Sequence, residues 1–256
     1  AISTSFAEAD ALADLCKKSN VYSAVVFNYC AYPAVKHVTN MINSGELGEI
    51  VSVELSMHQE GYLRETTNKG VLQVPQSWRL ESPSIPMVSL DLGVHLLALT
   101  EMFGIDFDLS SINSHNSFNS RLGVVDTVYT NAYSDIGFPI SLIYGKSFLG
   151  NRNGLQFKIY GKESSVHWKQ VDPENLTCAY SDGKISLIDR SVFKNHNKYE
   201  RFKIGHPSGF VEALANFYLD VFYDYHQYLN NDDRDGNYFS MDIARKGMQI
   251  LDKISK

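Results

Sequence analysis

Hydrophobic residues recur with different periods in the first 48 residues and in the rest of the chain. Residues 4–19 carry apolar side chains at helical spacing, and the run YSAVVFNY at 22–29 is apolar almost without a break. Such a run is typical of a strand that is buried on both faces of a parallel sheet. A second helix is predicted at 33–44, beginning at Pro33, a residue type favoured at the first helical position. Helix, buried strand and helix together predict part of a layered α/β domain.

After residue 50 the pattern changes to alternation. Residues 51–58 alternate strictly between apolar and polar side chains, which predicts a strand with one buried face. Gly, Asn and Asp clusters separate further stretches of the same period. These stretches predict strands at 126–134, 139–148, 155–160, 164–169 and 176–181.

Three longer segments with helical periodicity accompany these strands, at 88–103, 208–229 and 240–254. In the second of them, an apolar stripe from Phe210 to Tyr225 predicts packing on the sheet. The predicted fold class is therefore α/β plus α+β. The α/β part is followed by an α+β domain built on a large, open, mainly antiparallel sheet with helices covering one face.

Composition and charge exclude several classes of protein. The 256 residues are 44% hydrophobic and 20% charged, values that are ordinary for a globular chain and exclude a disordered or collagen-like one. No apolar run reaches the ~20 residues that span a bilayer, so no membrane partner is expected. The net charge of −6 argues against nucleic acid, whose binding favours a basic face.

The three cysteines, Cys16, Cys30 and Cys178, are widely spaced and form no C-x-x-C motif. This spacing indicates neither a disulfide framework nor a metal site, so no metal is expected. Unpaired cysteines suit a reducing compartment, and the cytoplasm is the expected location.

The segment Asp91-Leu92-Gly93-Val94-His95 carries the clearest candidate chemistry. A spacing of four residues puts the Asp91 carboxylate and the His95 imidazole on the same face of the predicted 88–103 helix. The surrounding residues are apolar, and a buried ionisable pair is costly unless it is hydrogen-bonded or used in a reaction. A histidine beside a carboxylate can transfer protons near neutral pH. The residues alone leave two interpretations open, a structural Asp–His pair and an acid–base pair.

A series of short segments resembles the Gfo/Idh/MocA oxidoreductases, in the same order along almost the entire chain. The segments are SFAEADALADL (5–15), VVFNY (25–29), PAV (33–35), SGELGEIVSV (44–53), SWRL (77–80), DLGVHLL (91–97), GNRNGL (150–155), GHPSGFVEALANFY (205–218) and YFSMDIARKGM (238–248). The resemblance implies a Rossmann domain that binds NAD or NADP, followed by an α/β domain with a large open sheet. It also implies hydride transfer between that cofactor and a sugar, inositol or related polyol.

The resemblance implies roles for seven residues. Asp91 and His95 become the catalytic pair, in which His95 accepts the proton of the substrate hydroxyl and Asp91 positions the substrate or tunes the proton transfer. Trp78 and Arg79 become substrate contacts, since one offers a stacking face and the other a planar hydrogen-bonding fork. His206 is a further candidate for the substrate pocket. Nicotinamide contacts are implied for Asn28 and Tyr29, at the carboxyl end of the predicted buried strand. Packing or surface roles remain open for Trp78, Arg79 and His206.

The chain departs from the family pattern where a dinucleotide would bind. None of its 17 glycines forms a G-x-G, the turn that lets the backbone approach a pyrophosphate. The family's glutamate-lysine-proline motif, whose lysine is catalytic, would fall immediately before Ala1. We therefore expect a truncated or proteolysed form that lacks on the order of a hundred residues of the Rossmann domain and is inactive by itself. Residues 1–48 would then be the end of that domain and 49–256 the substrate-binding and oligomerisation domain.

Two further departures lie inside the matched region. Ser84-Ile85-Pro86 replaces a glycine run that usually precedes the Asp91 motif, and Cys30 replaces a frequent arginine. Both positions line the junction of cofactor and substrate in relatives, so the departures bear on the choice of substrate.

Two other functions stay open within the family. One is a non-catalytic regulator that senses dinucleotide and binds another protein, and the other is an NAD-dependent glycosidase. The family also implies a homodimer or homotetramer formed through the open sheet face. Tyr129, Tyr133 and Tyr144, on the predicted strands, have the apolar body and polar tip that suit such an interface.

Overall fold

The computed structural model of the protein describes residues 1–193, 196–230, 232 and 238–256. Among these residues, eight strands form one open sheet: β1 (Ile50–His58), β2 (Asn113–Ser117), β3 (Thr127–Tyr133), β4 (Pro139–Gly145), β5 (Gly154–Gly161), β6 (Ser164–Lys169), β7 (Asp172–Tyr180) and β8 (Ile185–Asp189). Their order is β2-β3-β4-β1-β5-β6-β7-β8. β1 and β4 are parallel and every other neighbouring pair is antiparallel, which confirms the predicted sheet.

The helices in the described residues are α1 (Phe6–Lys18), α2 (Pro33–Asn43), α3 (Val94–Met102), α4 (Phe210–Asn230) and α5 (Met241–Ile254). Local signals in the sequence fix their ends. The Ser5 hydroxyl accepts from the Glu8 backbone N–H at 3.3 Å, and Ser240 caps α5 in the same way through Ile243. Within this part of the chain no helix is long and apolar enough to cross a membrane.

The hydrophobic core lies between the sheet and its helices. In β1, Val53, Leu55 and Met57 are buried while Glu54 is exposed, so the predicted alternation places one apolar face inward. α3 packs against β1 and α5, and α2 packs against β7. The opposite face of the sheet carries the polar residues of the same strands.

The segment at 22–29 is not a strand, contrary to the prediction. It runs without regular structure as far as Phe27 and then forms a 3₁₀ turn over Asn28–Ala31. The Val25 N–H donates to the Phe239 carbonyl at 2.8 Å, but no strand of the described residues pairs with the segment. An apolar run forms a strand only where a neighbouring backbone completes the hydrogen-bond ladder.

The helix predicted at 88–103 begins with a wider turn. Residues Ser89–Gly93 form a π-helical turn, which leads directly into α3. Such turns insert an extra residue per turn and occur frequently at functional sites. Here the turn carries Asp91, and His95 follows in the first turn of α3.

Gly93 is required between these two residues because the helix touches its neighbours there. A Cβ atom at this position would lie 3.0 Å from Leu251 Cδ2 and 3.0 Å from Tyr144 Cζ. We expect Gly93→Ala to lower the free energy of unfolding by about 1–3 kcal/mol, since the buried neighbours must move apart. Urea unfolding measures the loss. Gly61→Ala is the matched control, because a Cβ there meets nothing within 4 Å.

Candidate active site

Asp91 and His95 share an open pocket of about 440 Å³. The side chain of Trp78 lines the same pocket, and so do Met87 and the first four residues of the chain. The π-helical turn and the start of α3 thus bring the two residues of the motif together at one surface, as their spacing predicted.

The Asp91 carboxylate is held by two cations. Its Oδ2 atom lies 2.9 Å from Arg79 Nε and 2.9 Å from Lys146 Nζ. Burial opposes ionisation, but the charge of Lys146 and the hydrogen bonds from both cations outweigh it, so the pKa of Asp91 lies below its usual range. Asp91 is therefore a carboxylate at neutral pH.

The His95 imidazole is neutral at the same pH. Burial lowers the pKa of His95 to about 4, the positive charge of Lys146 adds to this effect, and Asp91 opposes it. The Tyr29 ring packs edge-on against the imidazole, with 4.8 Å between ring centroids. The His95 Nδ1 atom is buried and has no hydrogen-bond partner among the described residues. A neutral imidazole that lines a pocket can accept a proton from a bound molecule.

The lowered pKa of His95 gives stability a predictable dependence on pH. The unfolded chain binds a proton near the ordinary histidine pKa of 6.5, whereas the folded chain does so only near 4. Folding therefore loses stability as the pH falls from about 6.5 towards 4. Urea unfolding at pH 7 and pH 5 tests this effect in the wild type and in His95→Gln. The variant is expected to lose less stability between the two pH values, and an equal loss would contradict a buried, neutral His95.

Arg79 and Trp78 lie together in the 3₁₀ turn Ser77–Leu80. The Arg79 guanidinium lies over the Trp78 ring, 4.2 Å from its centroid, and the Tyr62 hydroxyl donates to the Arg79 carbonyl at 3.2 Å. The Gln76 side-chain oxygen accepts from both Trp78 Nε1 and Arg79 Nη1. Arg79 thus reaches Asp91 directly, while Trp78 is 37% exposed and presents its ring to the pocket.

Asn28 and Tyr29 are both buried in the turn that ends the 22–29 segment. Tyr29 reaches the site through its contact with His95, and its hydroxyl accepts from Asn153 Nδ2 at 3.1 Å. The Nδ2 donor of Asn28 is buried with no acceptor among the described residues. An unsatisfied buried donor fits a position that awaits a polar ligand group.

His206 is not among the residues that line the pocket of Asp91 and His95. Its side chain is exposed, and its backbone carbonyl accepts from Arg190 Nη2 at 3.3 Å. Glu174 anchors the same loop, by binding Arg190 Nε at 2.9 Å and the Ser208 hydroxyl. No contact of the described residues supports a substrate role for His206, which stays a prediction.

Lys146 is a site residue that sequence reasoning missed. It follows β4, is 5% exposed, and donates from Nζ to Gln59 Oε1 at 2.6 Å as well as to Asp91. A signal for it exists in the alternation, because Lys146 continues the buried series Ile140, Leu142 and Tyr144. A lysine at an inward position of a predicted strand indicates a buried charge that needs a partner.

Among the described residues, Asn28 and Tyr29 could hold one end of a dinucleotide, and no group of side chains is arranged to hold a metal ion. The unsatisfied Asn28 donor and the Tyr29 side chain fit the nicotinamide end of a dinucleotide, next to His95. No G-x-G turn is present to receive the pyrophosphate. In the part of the chain that the structure describes, no three or more His, Cys, Asp or Glu side chains cluster as metal ligands would.

Comparisons with known proteins identify relatives of the chain. Residues 39–240 match the family model GFO_IDH_MocA_C, described as the oxidoreductase family, C-terminal alpha/beta domain. The comparison with curated protein sequences gives no match.

Solved structures share the fold across nearly the whole chain. An oxidoreductase from Sinorhizobium meliloti has a TM-score of 0.79 at 21% identity, with 98% of this chain and 66% of that one covered. An inositol dehydrogenase homolog from Azotobacter vinelandii, in complex with NADH and myo-inositol, has a TM-score of 0.80 at 18% identity, with 99% and 66% covered. Levoglucosan dehydrogenase, in complex with NADH and levoglucosan, has a TM-score of 0.80 at 21% identity, with 99% and 69% covered. The chain thus spans about two thirds of the length of these structures.

Proposed function

The chain belongs to the Gfo/Idh/MocA oxidoreductase family, and on that premise we propose that the protein is an NAD(P)-dependent dehydrogenase or reductase of a sugar, inositol or related polyol. One observation carries the proposal. The ionised Asp91, held 2.9 Å from two cations, and the neutral His95 line one pocket. A non-catalytic protein has no need of an acid–base pair arranged in this way.

The cofactor in this proposal is NAD or NADP. When bound, its nicotinamide ring supplies the acceptor or donor of the hydride. Asn28 and Tyr29 would hold its carboxamide end, because Asn28 Nδ2 has no acceptor in the described part of the chain and Tyr29 packs on His95. We also propose that residues 1–48 are the end of the dinucleotide-binding domain and that 49–256 form the substrate-binding domain.

Each of the candidate site residues has a separate role in the oxidation of an alcohol. His95 accepts the hydroxyl proton as the carbinol carbon loses its hydride, and returns the proton in the reverse direction. Asp91, fixed by Arg79 and Lys146, positions the hydroxyl-bearing substrate and stabilises the protonated imidazole. The exposed part of the Trp78 ring offers a stacking surface to a sugar or cyclitol ring.

An activity panel on the complete gene product tests the proposal against the two other functions. The protein is incubated with NAD⁺ or NADP⁺ and a panel of sugars and cyclitols, and separately with nitrophenyl glycosides. We expect reduced nicotinamide from at least one polyol. Release of nitrophenol without net cofactor reduction would favour a glycosidase, and dinucleotide binding without either reaction would favour a regulator.

The open sheet face is the proposed interface between copies of the protein. Tyr129 and Tyr133 lie on this face, 39% and 55% exposed. Tyr144 was expected there too, but it is fully buried on the helix side, where its hydroxyl lies 2.9 Å from Ser89 Oγ. The reason is its register in β4, which places it on the same inward face as Leu142.

A pair of charges on that face is expected to break the assembly. We predict that Tyr129→Lys/Tyr133→Lys lowers the molar mass measured by light scattering to that of one chain, because like charges would be buried across the interface. Phe222→Lys, on the exposed side of α4, is the matched control and is expected to keep the wild-type mass. An unchanged mass in the double variant would contradict this interface.

The cytoplasm is the proposed location of the protein, since its three cysteines are free thiols, which suit a reducing compartment.

A further inference from the structure

Lys146 is a buried residue of the candidate site that has no direct role in the proposed proton and hydride transfer. It is almost fully buried directly after β4, and its ammonium has two oxygen partners, Asp91 Oδ2 at 2.9 Å and Gln59 Oε1 at 2.6 Å. Its backbone N–H donates to the Asp126 carbonyl at 2.8 Å, which fixes the start of the side chain as well. A buried lysine is rare unless its charge is paired, so the arrangement needs an explanation.

The partners of Lys146 connect both members of the candidate catalytic pair. Gln59 accepts from Lys146 and donates from Nε2 to Asn153 Oδ1 at 3.1 Å. Asn153 in turn donates from Nδ2 to the Tyr29 hydroxyl at 3.1 Å, and the Tyr29 ring packs against His95. In this series of hydrogen bonds, the side-chain oxygen and the side-chain nitrogen of both Gln59 and Asn153 have a partner. Neither amide can therefore rotate without losing a hydrogen bond.

We propose that Lys146 is a positioning residue, which fixes the Asp91 carboxylate on one side and, through Gln59 and Asn153, the Tyr29 ring that packs against His95 on the other. The proposal rests on the proposed function only in assigning catalysis to Asp91 and His95. The placement of Lys146 and its effect on the charges of the pair can be tested without any turnover.

The charges around the pair determine what the loss of Lys146 does. Lys146 and Arg79 both lower the pKa of Asp91, and Lys146 also lowers the pKa of His95. The loss of one positive charge therefore raises both pKa values. Arg79 remains on Asp91 in such a variant, so the carboxylate keeps one cationic partner and the fold is expected to survive.

The variants separate charge from size. Lys146→Met keeps the length of the side chain and removes the charge, whereas Lys146→Arg keeps the charge. Lys162→Met is the matched control, because Lys162 forms an exposed ion pair with Glu49 away from the pocket. If Lys146→Met does not fold, Lys146→Gln, which retains a donor towards Asp91, takes its place in the same measurements.

Two measurements apply to each variant. The first is the titration of the His95 ring signals by NMR in the complete protein without cofactor or substrate, with His95→Gln used for assignment. The second is the pH profile of kcat/KM for the polyol found in the activity panel. We expect Lys146→Met to move the His95 titration and the acidic limb of the profile upwards by about one pH unit. Lys146→Arg and Lys162→Met are expected to follow the wild type.

An unchanged His95 titration in Lys146→Met would overturn the proposal, and so would a Lys146→Arg variant that behaves like Lys146→Met. A general loss of activity with an unmoved acidic limb would show that Lys146 only supports packing. If the wild type turns over no polyol, the proposed function fails, and the His95 titration alone decides the role of Lys146.

Discussion

Replacing His95 by alanine is expected to lower kcat/KM for the polyol substrate by about 10²- to 10⁴-fold, the range that general acid–base catalysis supplies. The reason is that the His95 imidazole is neutral, with its pKa near 4, and lines the pocket. Without it, the hydroxyl proton has no acceptor as the hydride leaves. The loss is expected in kcat rather than in KM, because the proposed substrate contacts, Trp78 and Asp91, remain in place.

Controls distinguish lost chemistry from lost structure. His226→Ala changes an exposed histidine on α4 and is expected to keep wild-type activity. His95→Gln retains most of the side-chain volume and is expected to be as inactive as His95→Ala. If both His95 variants kept wild-type turnover with an unchanged melting temperature, His95 would not be the proton acceptor.

The second large effect is on stability and lies outside the pocket, at Asp220. This buried α4 carboxylate accepts four donors at 2.7–2.8 Å, from Lys36, Lys198, Tyr199 and Tyr238. We predict that Asp220→Ala lowers the free energy of unfolding by about 3–5 kcal/mol, because it leaves the buried Lys36 ammonium without its counter-charge. Urea unfolding measures the loss, and Asp135→Ala, at an exposed position, is expected to change it by less than about 0.5 kcal/mol.

The same carboxylate gives a second, pH-dependent signature. Burial opposes its ionisation, but the two lysines and the Tyr199 hydroxyl outweigh burial, so the pKa of folded Asp220 lies below the ordinary value. Its contribution is therefore present at neutral pH and is lost as the pH falls below about 4, through the folded pKa. The wild type is expected to lose more stability on acidification than Asp220→Ala. A variant as stable as the wild type at pH 7 would contradict a structural role for this network.

The periodicity of the sequence predicts most of the sheet, and its failures have physical causes. Strands β1 and β3 to β7 alternate because one face is buried and the other is not. The edge strands β2 and β8 were not predicted from the sequence. Their segments NSHNS and ISLID are short and bury few side chains, so they carry little apolar pattern. The apolar run at 22–29 indicated a strand, but no described strand supplies its hydrogen bonds.

Helix α4 shows a second limit of the hydrophobic pattern. Its stripe from Phe210 to Tyr225 predicted packing on the sheet, yet Phe222 and Tyr225 are 61% and 42% exposed. The buried side instead carries polar residues, including Asp220 and Asn216, whose Nδ2 donates to the Ala31 carbonyl at 3.0 Å. Buried polar groups satisfied by distant partners cannot be recognised from local periodicity.

The candidate site is predictable where its residues are close in sequence. The spacing of Asp91 and His95 placed both in one pocket, and Arg79 lies beside them. Lys146 and Gln59 directly follow β4 and β1, and Asn153 directly precedes β5, so only the fold brings these three residues together. Their amide and ammonium groups carry no motif of their own.

Transfer of an isotopic label from substrate to dinucleotide is the sharpest test of hydride transfer at Asp91 and His95. A polyol deuterated at its reacting carbon is incubated with the complete protein and oxidised dinucleotide, and the reduced dinucleotide is analysed by mass spectrometry. We expect one deuterium on the nicotinamide ring per turnover in the wild type, and no transfer above background by an Asp91→Asn/His95→Gln variant that still binds dinucleotide. Reduced dinucleotide without the label, or transfer by the double variant at the wild-type rate, would contradict hydride transfer at this pair.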